Sequence, residues 1–240
     1  MKLLTWNCAG AFRKKTGQLA SFNPDLAVIQ ECERPEKLLF PQEFQPASIA
    51  WFGDAGAAKG VRVFGFSGLR VEVADEVYDP TIRYCVPLRV SGRWNFHLIA
   101  IWAMPHPNPR EWSYVGQICR ALEAPAYSAF IHAQDTLLAG DFNRNQIFDR
   151  PRRACNHSTV VERLAQAGIV SLYHEYFHES HGQESQPTFY LTKMASRPFH
   201  LDYFFAPARW SQRVTRLVVG DFTEWRPWSN HCPLFVEGDL

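Results

Sequence analysis

Apolar residues come in short runs separated by polar turns along most of the chain, and this pattern predicts many strands. The first run is KLLTWNC, residues 2–8; the second, in PDLAVIQEC, follows a Pro-Asp turn and predicts a buried strand over 26–30. Further strands are predicted in VRVFGFS, LRVEVAD, YCVPLRVSG, NFHLIAIWA, DTLLAGDFN, HLDYFFA, VTRLVVG and CPLFVEG. The nearly continuous apolar run NFHLIAIWA is typical of a central strand.

A few helices are predicted between these strands. TGQLASF suits one or two helical turns, and HPNPREWSYVGQICRALEA has Asn108 as N-cap, Pro109 at the first helical position and Glu111 where a capping-box acid belongs. In STVVERLAQAG, Thr159 and Glu162 predict a capping box and Gly168 predicts the end. Strands with interspersed helices around one core predict an α/β sandwich, formed by a single domain over residues 1–240.

Composition places the chain among globular proteins. Hydrophobic residues make up 46% and charged residues 20% of its 240 residues. No apolar run approaches the ~18 residues of a membrane helix, and the first residues lack a secretory signal pattern. The six cysteines are scattered without C-x-x-C spacing, which argues against a zinc site and predicts free thiols in a cytoplasmic protein with no membrane partner.

The formal net charge of +1 limits how the chain can hold a polyanion. Proteins whose whole surface binds nucleic acid are usually far more basic. A site for nucleic acid or another phosphorylated ligand would therefore be a local patch.

Polar residues follow several apolar strands at the point where each strand ends. Strand ends along one edge of a sandwich can converge on one pocket, where carboxylates can bind a metal or activate water. An unpaired acid next to a strongly buried run is also costly, so chance placement is a weak explanation for the set. The residues are Asn7, Glu31, Asp141, Asn143, Asp202, Asn230 and His231.

These residues lie in six ordered motifs that resemble the endonuclease/exonuclease/phosphatase superfamily. The motifs are TWNCAG, PDLAVIQE, GDFN, PTFY, HLDYFF and SNHCP, and they extend from residue 2 to about residue 236. The resemblance implies a four-layer α/β sandwich of the deoxyribonuclease I type, with two central, mostly antiparallel sheets flanked by helices. It also implies a phosphoesterase that depends on Mg²⁺ or Mn²⁺.

The resemblance also implies a role for each motif residue. Glu31 would be the principal metal carboxylate with Asn7 beside it, and Asp141 would orient or deprotonate the attacking water. Asn143 would hold the phosphate or the nucleophile. His231 would contact a non-bridging phosphate oxygen, and Asp202 would hydrogen-bond its imidazole. In-line attack on phosphorus needs these functions: a positioned water, a cation and a donor for developing charge.

Asn230 departs from the family's Ser-Asp-His motif, because the chain reads Ser229-Asn230-His231. Asparagine keeps the shape of aspartate and loses its charge, so a metal site that includes Asn230 has one anionic ligand fewer. Three explanations stay open: an engineered substitution that slows the enzyme, a natural variant that retains activity, or a relative that only binds. The otherwise intact set of motif residues argues against the third.

Other polar and aromatic residues are candidate substrate contacts. Arg83 lies where relatives use an arginine on the phosphate, with a structural role as the alternative. Trp102 lies about where relatives place a tyrosine or histidine that touches the phosphate, and His106 could serve instead if Trp102 is a packing residue. The arginine-rich loop GDFNRNQIFDRPRR could clamp phosphates, or be a plain solvated loop in which Asp149 is the partner. The loop HESHGQESQPTFY, with His178 and His181, is a surface loop or a flap. The candidate substrate residues are Arg83, His106, Arg144, Asn145, Asn156, His157 and Tyr190, with helix capping as the alternative for Asn156 and His157.

The sequence favours a divalent-metal-dependent nuclease that cleaves DNA or RNA. A phosphatase or phosphodiesterase acting on a small phosphorylated metabolite, nucleotide or lipid headgroup is the first alternative. The second is a nucleic-acid-binding relative whose activity is impaired by Asn230. The sequence makes no prediction of the oligomeric state.

Overall fold

Two six-stranded sheets form the centre of the computed structural model, which describes residues 1–38, 40, 44–106 and 112–240. The strands are β1 (Lys2–Asn7), β2 (Leu26–Glu33), β3 (Ser48–Phe52), β4 (Lys59–Gly65), β5 (Arg70–Val73), β6 (Cys85–Ser91), β7 (Phe96–Trp102), β8 (Thr136–Asp141), β9 (Ile169–Ser171), β10 (Phe189–Tyr190), β11 (Pro198–Phe199), β12 (Asp202–Pro207), β13 (Val214–Val219) and β14 (Leu234–Gly238). The first sheet has the order β13-β14-β1-β2-β4-β3 and the second β5-β6-β7-β8-β12-β9, while β10 and β11 form a separate pair.

Within the described residues seven helices flank the sheets: the first four and the last lie on the outer faces, whereas the fifth and sixth contribute Leu172, Tyr173 and Trp210 to the core between the sheets. They are α1 (Thr16–Ala20), α2 (Val115–Glu123), α3 (Pro125–Ala133), α4 (His157–Gln166), α5 (Leu172–Phe177), α6 (Ala208–Ser211) and α7 (Phe222–Trp225). Short 3₁₀ helices lie at Phe12–Lys14, Pro35–Lys37, Gln146–Phe148 and Leu191–Lys193. Among the described residues, no helix has both the length and the apolar character that crossing a bilayer requires.

Three buried clusters define four layers. Val28 and Val63 of the first sheet pack against Leu98 and Leu137 of the second, so one core lies between the sheets. A second core lies between the second sheet and α2, α3 and α4, and a third covers the outer face of the first sheet. The β1–β2 and β7–β8 pairs are parallel and the other strand pairs within the sheets are antiparallel. The predicted four-layer sandwich with mostly antiparallel sheets is confirmed.

Trp102, at the end of β7, belongs to the core between the sheets. Its indole is 7% exposed and stacks on Tyr84 with the ring centroids 5.2 Å apart. Burial of an aromatic side chain of this size contributes about 2 kcal/mol to folding. The packing interpretation of Trp102 is therefore confirmed.

Helix boundaries differ from the prediction at two places. Helix α4 begins at His157, because Asn156 is the N-cap and its backbone N–H donates to Thr159 Oγ1 at 3.2 Å. The predicted Thr159–Glu162 capping box is therefore wrong, whereas Gly168 follows the helix with φ +72° as the stop signal requires. Helix α2 begins at Val115; the predicted cap over 108–111 lies outside the described residues.

A disulfide joins Cys119 of α2 to Cys155, two residues before α4. The other four cysteines are free and buried. The prediction of six free thiols is therefore wrong for this pair. Its members are 36 residues apart in sequence, and only the packing of α2 against α4 brings them together.

Candidate active site

Residues of β1, β2, β8 and β12 meet at one edge of the two sheets, each at a strand terminus except Glu31, which lies inside β2. Asp141 at the end of β8 pairs directly with Asp202 at the start of β12 in the second sheet. Asn7 ends β1 in the first sheet, and its Nδ2 donates to Asp141 Oδ2 across the sheets at 2.9 Å. The predicted convergence of these residues is therefore present in the structure.

Glu31 reaches this edge through an irregularity in β2. The pairing of β2 with β4 shifts register between Ile29 and Cys32, and Glu31 has φ 55°, in the left-handed region that non-glycine residues rarely adopt. A bulge of this kind redirects a side chain, and such strain is common at functional sites. Here the side chain turns toward Asn7, whose Nδ2 donates to Glu31 Oε1 at 3.2 Å.

A lysine that the sequence reasoning missed contacts the same carboxylate. Lys59 Nζ lies 2.6 Å from Glu31 Oε2, and both side chains are partly exposed. An ammonium group therefore sits where the predicted divalent cation would bind. Lys59 lies 28 residues from Glu31, and no motif pointed to it; the antiparallel pairing of β2 and β4 brings the two together.

Asn7 bridges two carboxylates through its amide nitrogen. Its Nδ2 contacts both Glu31 and Asp141, while its Oδ1 accepts the backbone N–H of Ala9 at 3.0 Å. The predicted role as an oxygen ligand to the metal would require the opposite orientation of the amide. In this arrangement Asn7 instead holds Glu31 and Asp141 at a fixed separation.

Asp141 is fully buried and is the most heavily hydrogen-bonded acid of the site. Besides Asn7, the backbone N–H of Asn143 donates to its Oδ1 at 2.8 Å and Asn143 Nδ2 to its Oδ2 at 3.2 Å. Asn143 has φ 50° and also donates to the carbonyl of Ala103 at 2.9 Å. Burial raises the pKa of Asp141 to about 7, although His231 opposes that rise. A carboxyl group with such a pKa can accept a proton near neutral pH.

His231 and Asp202 form a buried hydrogen-bonded pair. His231 Nδ1 lies 2.8 Å from Asp202 Oδ2, and the other oxygen, Oδ1, is buried without a hydrogen-bond partner among the described residues. Burial alone would lower the pKa of His231, but the carboxylates of Asp202 and Asp141 outweigh it and raise the pKa to about 9. The imidazole is therefore a cation at neutral pH.

The free nitrogen of this imidazole faces Asp141 without bonding to it. His231 Nε2 lies 3.9 Å from Asp141 Oδ2, which is too long for a hydrogen bond. Its N–H can therefore donate to a group placed between the two residues. Ligand atoms of Asp141, Asp202 and His231 lie within 4.8 Å of one another, but a protonated imidazole has no lone pair for a metal.

The segment Ser229–His231 is fastened by its neighbours. Ser229 Oγ donates to the carbonyl of Asn7 at 2.7 Å and accepts the N–H of His231 at 3.0 Å. Trp6 Nε1 donates to the carbonyl of His231 at 2.9 Å. The serine of the motif is thus a structural clamp that ties His231 to the end of β1.

Asn230 is half-buried next to this clamp. Its carbonyl accepts the backbone N–H of Tyr190 at 2.8 Å, and its side chain makes no hydrogen bond within the described ranges. The ring of Tyr190 stacks on Phe222, with centroids 4.1 Å apart. Tyr190, a predicted substrate contact, therefore positions Asn230 through its backbone and packs its ring against the protein.

The PTFY motif joins the two halves of the site. Thr188 is fully buried; its Oγ1 accepts the N–H of Asp202 at 3.0 Å, and its carbonyl accepts the N–H of Cys232 at 2.7 Å. Thr188 thereby holds the start of β12 and the residue after the Ser229–His231 segment in fixed positions relative to each other. This motif supplies positioning contacts rather than a reacting group.

Three predicted substrate residues lie away from this centre. Asn145 is 1% exposed. Its Nδ2 donates to Glu184, to Tyr203 and to the carbonyl of His200, and its Oδ1 accepts the N–H of Ile147. Asn156 caps α4, and His157 is fully buried with its ring 5.0 Å from that of Tyr203. Side chains alternate along β12, so Tyr203 faces away from Asp202. Asn145 and His157 are therefore buried on the side of β12 that faces away from the Asp141–His231 centre, and the capping alternative holds for Asn156.

The remaining candidate substrate residues, Arg83, Arg144 and His106, have partly exposed side chains. Arg83 pairs with Asp54, Arg144 packs its guanidinium 4.4 Å from the ring of Tyr114, and the ring of His106 lies 5.3 Å from that of Trp112. Asp149, which the sequence offered as a partner for the arginine loop, instead accepts backbone N–H groups at the start of α4. Arg150, Arg152 and Arg153 of that loop are exposed.

Buried histidines next to the site predict acid sensitivity. Burial lowers the pKa of both His157 and His200 to about 4, whereas an unfolded histidine titrates near 6.5. As pH falls below about 6.5 the unfolded chain takes up protons that the folded chain excludes, until the pH passes the folded pKa. Each of these two histidines should therefore lower the free energy of unfolding by about 2 kcal/mol when the pH falls from 7 to 5.

Urea unfolding at the two pH values tests this expectation. His200→Asn, which retains a donor for the Gln186 carbonyl, should lose its share of the pH dependence. His178→Asn, at an exposed position, should keep the wild-type dependence. Equal pH dependence in wild type and His200→Asn would contradict the burial argument.

Comparison with known proteins gives a family and several structural neighbours. The model of the "Endonuclease/Exonuclease/phosphatase family" matches residues 4–221. No curated protein matches the chain.

Solved structures of nucleases and a phosphatase share the fold. A variant of the 3′ phosphatase NExo from Neisseria, bound to a product DNA hairpin, aligns with a TM-score of 0.68 at 18% identity, over 100% of both chains. An AP endonuclease from Archaeoglobus fulgidus aligns with a TM-score of 0.69 at 14% identity, also over 100% of both chains. The endonuclease domain of TRAS1, a telomere-specific non-LTR retrotransposon, aligns with a TM-score of 0.61 at 17% identity, over 100% of this chain and 98% of its own.

Proposed function

The chain belongs to the endonuclease/exonuclease/phosphatase family, and from that premise we propose that it is a divalent-metal-dependent nuclease. Family membership supports a phosphoesterase in the broad sense. One observation supports the proposal of a nuclease that depends on a divalent metal: two hydrogen-bonded groups face each other in the site. The first is Glu31, Asn7 and Asp141, and the second is the His231–Asp202 pair. This arrangement offers a cation position, a base and a cationic donor around one space.

The donor set fits a hard divalent cation. Mg²⁺ and Mn²⁺ prefer oxygen ligands, and Glu31 presents a partly exposed carboxylate that already attracts the ammonium of Lys59. Glu31 would hold the ion. Asn230 directly precedes His231, which forms the other side of the site. When bound, the ion supplies positive charge against the phosphate oxygens and the leaving group.

The protein's own groups would carry the proton chemistry. Asp141, with a pKa raised to about 7, would orient the attacking water and take its proton, while Asn143 and Asn7 hold the carboxylate still. His231 would donate its Nε2–H to a non-bridging phosphate oxygen, because Asp202 keeps it cationic and fixes Nδ1. Preorganised donors of this kind stabilise the charge that develops in the transition state.

Nucleic acid is the proposed substrate. The NExo structure contains a DNA hairpin, and the AP endonuclease also takes its name from action on nucleic acid. The exposed arginines of the 150–153 loop offer a local basic patch on a chain whose net charge is only +1. Arg144, at the start of the same loop, follows Asn143 of the site directly.

A substrate panel tests the proposal. Plasmid, single-stranded DNA, RNA, an abasic duplex and inositol phosphates are each incubated with Mg²⁺ or Mn²⁺, and a nucleic-acid substrate should be cleaved fastest. Binding that neutralises several phosphates should weaken steeply with salt. Preferred hydrolysis of inositol phosphates with little salt dependence would overturn the nuclease assignment and leave the family assignment standing.

Restoring the missing acid should increase activity. Asn230 is half-buried and its side chain makes no hydrogen bond within the described ranges, so Asn230→Asp restores the acid that the resemblance assigns to the metal site without breaking a described contact. We expect kcat/KM at limiting Mg²⁺ to rise about tenfold, the scale of one added electrostatic contact near 1.4 kcal/mol. Activity is measured across a Mg²⁺ titration in both forms.

Asn95→Asp, at an exposed loop position, controls for the added charge. Equal and rapid turnover by wild type and Asn230→Asp would show that the asparagine is a fully active variant. Tight nucleic-acid binding without turnover in Asn230→Asp would instead support the binding-only alternative.

A further inference from the structure

A cluster of histidines occupies the opposite side of β12 from the active site. Four of the chain's nine histidines lie here, around the fully buried ring of Tyr203. Because side chains alternate along a strand, Tyr203 and its neighbour Asp202 face opposite sides of the sheet. The four are His157, His174, His181 and His200.

The loop over 178–188 supplies part of this cluster. The sequence suggested a surface loop or a flap for this segment, but His181 and Glu184 turn inward while His178 is exposed. Glu184 Oε1 lies 3.0 Å from His174 Nε2, and the rings of His174 and His181 stack with centroids 3.5 Å apart. One ligand atom from each of His174, His181 and Glu184 lies within 4.8 Å of the other two.

We propose that His174, His181 and Glu184 bind a single zinc-class transition-metal ion that fastens the 178–188 loop to the back of β12. Two imidazoles and one carboxylate form a known tetrahedral zinc ligand set, completed by water. Tetrahedral bonds of about 2.0–2.1 Å place ligand atoms roughly 3.3 Å apart. His174 Nε2 and Glu184 Oε1 already have nearly that spacing. The ring of His181 would turn out of its stack on His174 to bring its nitrogen, which lies within 4.8 Å of the other ligand atoms, to the ion.

Neighbouring groups orient all three side chains. Ser171 Oγ lies 2.7 Å from His174 Nδ1, and His157 Nε2 lies 3.1 Å from His181 Nδ1. Glu184 accepts the backbone N–H of Gly182 at 3.0 Å and the Nδ2 of Asn145 at 2.8 Å. Outer hydrogen bonds of this kind fix ring orientation and tautomer at metal sites.

Ligand chemistry separates this site from the active site. Imidazole nitrogens favour zinc, copper, nickel and iron, whereas the oxygen donors around Glu31 and Asp141 favour Mg²⁺ and Mn²⁺. Absence of C-x-x-C spacing argued against zinc from the sequence, but that test examines only cysteine ligands. The loop's histidine becomes recognisable as a ligand only when the fold places it beside α5.

Metal binding to the intact chain without a polyhistidine tag tests the proposal. Chelator-stripped protein is titrated with Zn²⁺ by calorimetry, and with Co²⁺ by visible absorption, where a four-coordinate ion gives intense bands. We expect one equivalent of Zn²⁺ and a four-coordinate Co²⁺ spectrum. Glu184→Gln and His181→Asn should each weaken Zn²⁺ binding by at least about tenfold.

Matched variants locate the bound ion. His178→Asn, three residues from His181 but exposed, should bind Zn²⁺ like wild type. Glu31→Gln should also bind like wild type, because Glu31 lies in the oxygen-rich active site. Loss of Zn²⁺ in Glu31→Gln with retention in Glu184→Gln would overturn the proposal, as would a wild-type chain that binds no Zn²⁺. Since Glu184→Gln preserves the shape of the side chain, circular dichroism of that variant shows whether any loss reflects the ligand or the fold.

Discussion

Glu31→Gln is expected to reduce phosphodiester hydrolysis by about a thousandfold, the upper scale for removing one group that stabilises transition-state charge. The substitution keeps the size of the side chain and removes the charge that attracts the cation and Lys59. The left-handed backbone and the bulge at Glu31 direct its side chain toward Asn7 and the site. Single-turnover rates at saturating Mg²⁺ or Mn²⁺ measure the effect on the best substrate of the panel.

Glu36→Gln is the matched control, because Glu36 is an exposed acid in the adjacent 3₁₀ helix. It should keep the wild-type rate. Unfolding free energies of both variants should stay within about 1 kcal/mol of wild type, since Glu31 is partly exposed and paired only at the surface. A Glu31→Gln enzyme with at least a tenth of the wild-type rate would place the cation elsewhere.

The sequence predicted the sandwich because its strands carry strong local signals. Apolar residues dominate β1, β7 and β12, and nearly all of their side chains are buried. Strand β1 ends at Asn7 and β12 begins at Asp202, both residues of the site, whereas β7 ends at the core residue Trp102. The same pattern located Asn7 and Asp202 correctly at strand ends. The resemblance to the family then assigned catalytic roles to these residues, which the hydrophobic periodicity of the strands does not predict.

Contacts between distant segments account for what the sequence did not reveal. Lys59 reaches Glu31 only through the β2–β4 pairing, and Cys119 reaches Cys155 only through helix packing. Asn145 looked available because it follows the GDFN motif, yet the fold turns its amide into the interior toward Glu184. Local patterns predict elements; they do not predict which face of a loop becomes buried.

Asn7 and Ser229 show how the motifs combine positioning with chemistry. Asn7 separates Glu31 from Asp141, and its own carbonyl accepts the hydroxyl of Ser229. Ser229 in turn holds the N–H of His231. A continuous set of hydrogen bonds therefore connects the proposed cation position to the proposed phosphate donor along the edge of the first sheet.

Asp202→Asn is expected to lower kcat by about a hundredfold or more, on the scale of a lost charge that orients a catalytic imidazole. Burial alone lowers the pKa of His231, and the Asp202 carboxylate is the largest opposing influence. Its removal therefore moves the pKa of His231 downward, and the imidazole loses its proton at pH values where the wild-type ring is cationic. An asparagine that presents its amide N–H to Nδ1 would leave the single ring proton on Nε2, so the imidazole would face the phosphate as a neutral and weaker donor.

The pH profile separates this role from a structural one. Because a cationic His231 is needed as donor, activity of Asp202→Asn should recover in part as pH falls and His231 regains its proton, whereas a merely misfolded variant should not recover. NMR titration of the His231 ring should show the lower pKa directly. His231→Asn combined with Asp202→Asn should be no slower than His231→Asn alone, because the two residues act as one unit. Additive losses in the double variant would mean that Asp202 contributes to turnover independently of the imidazole it holds at 2.8 Å.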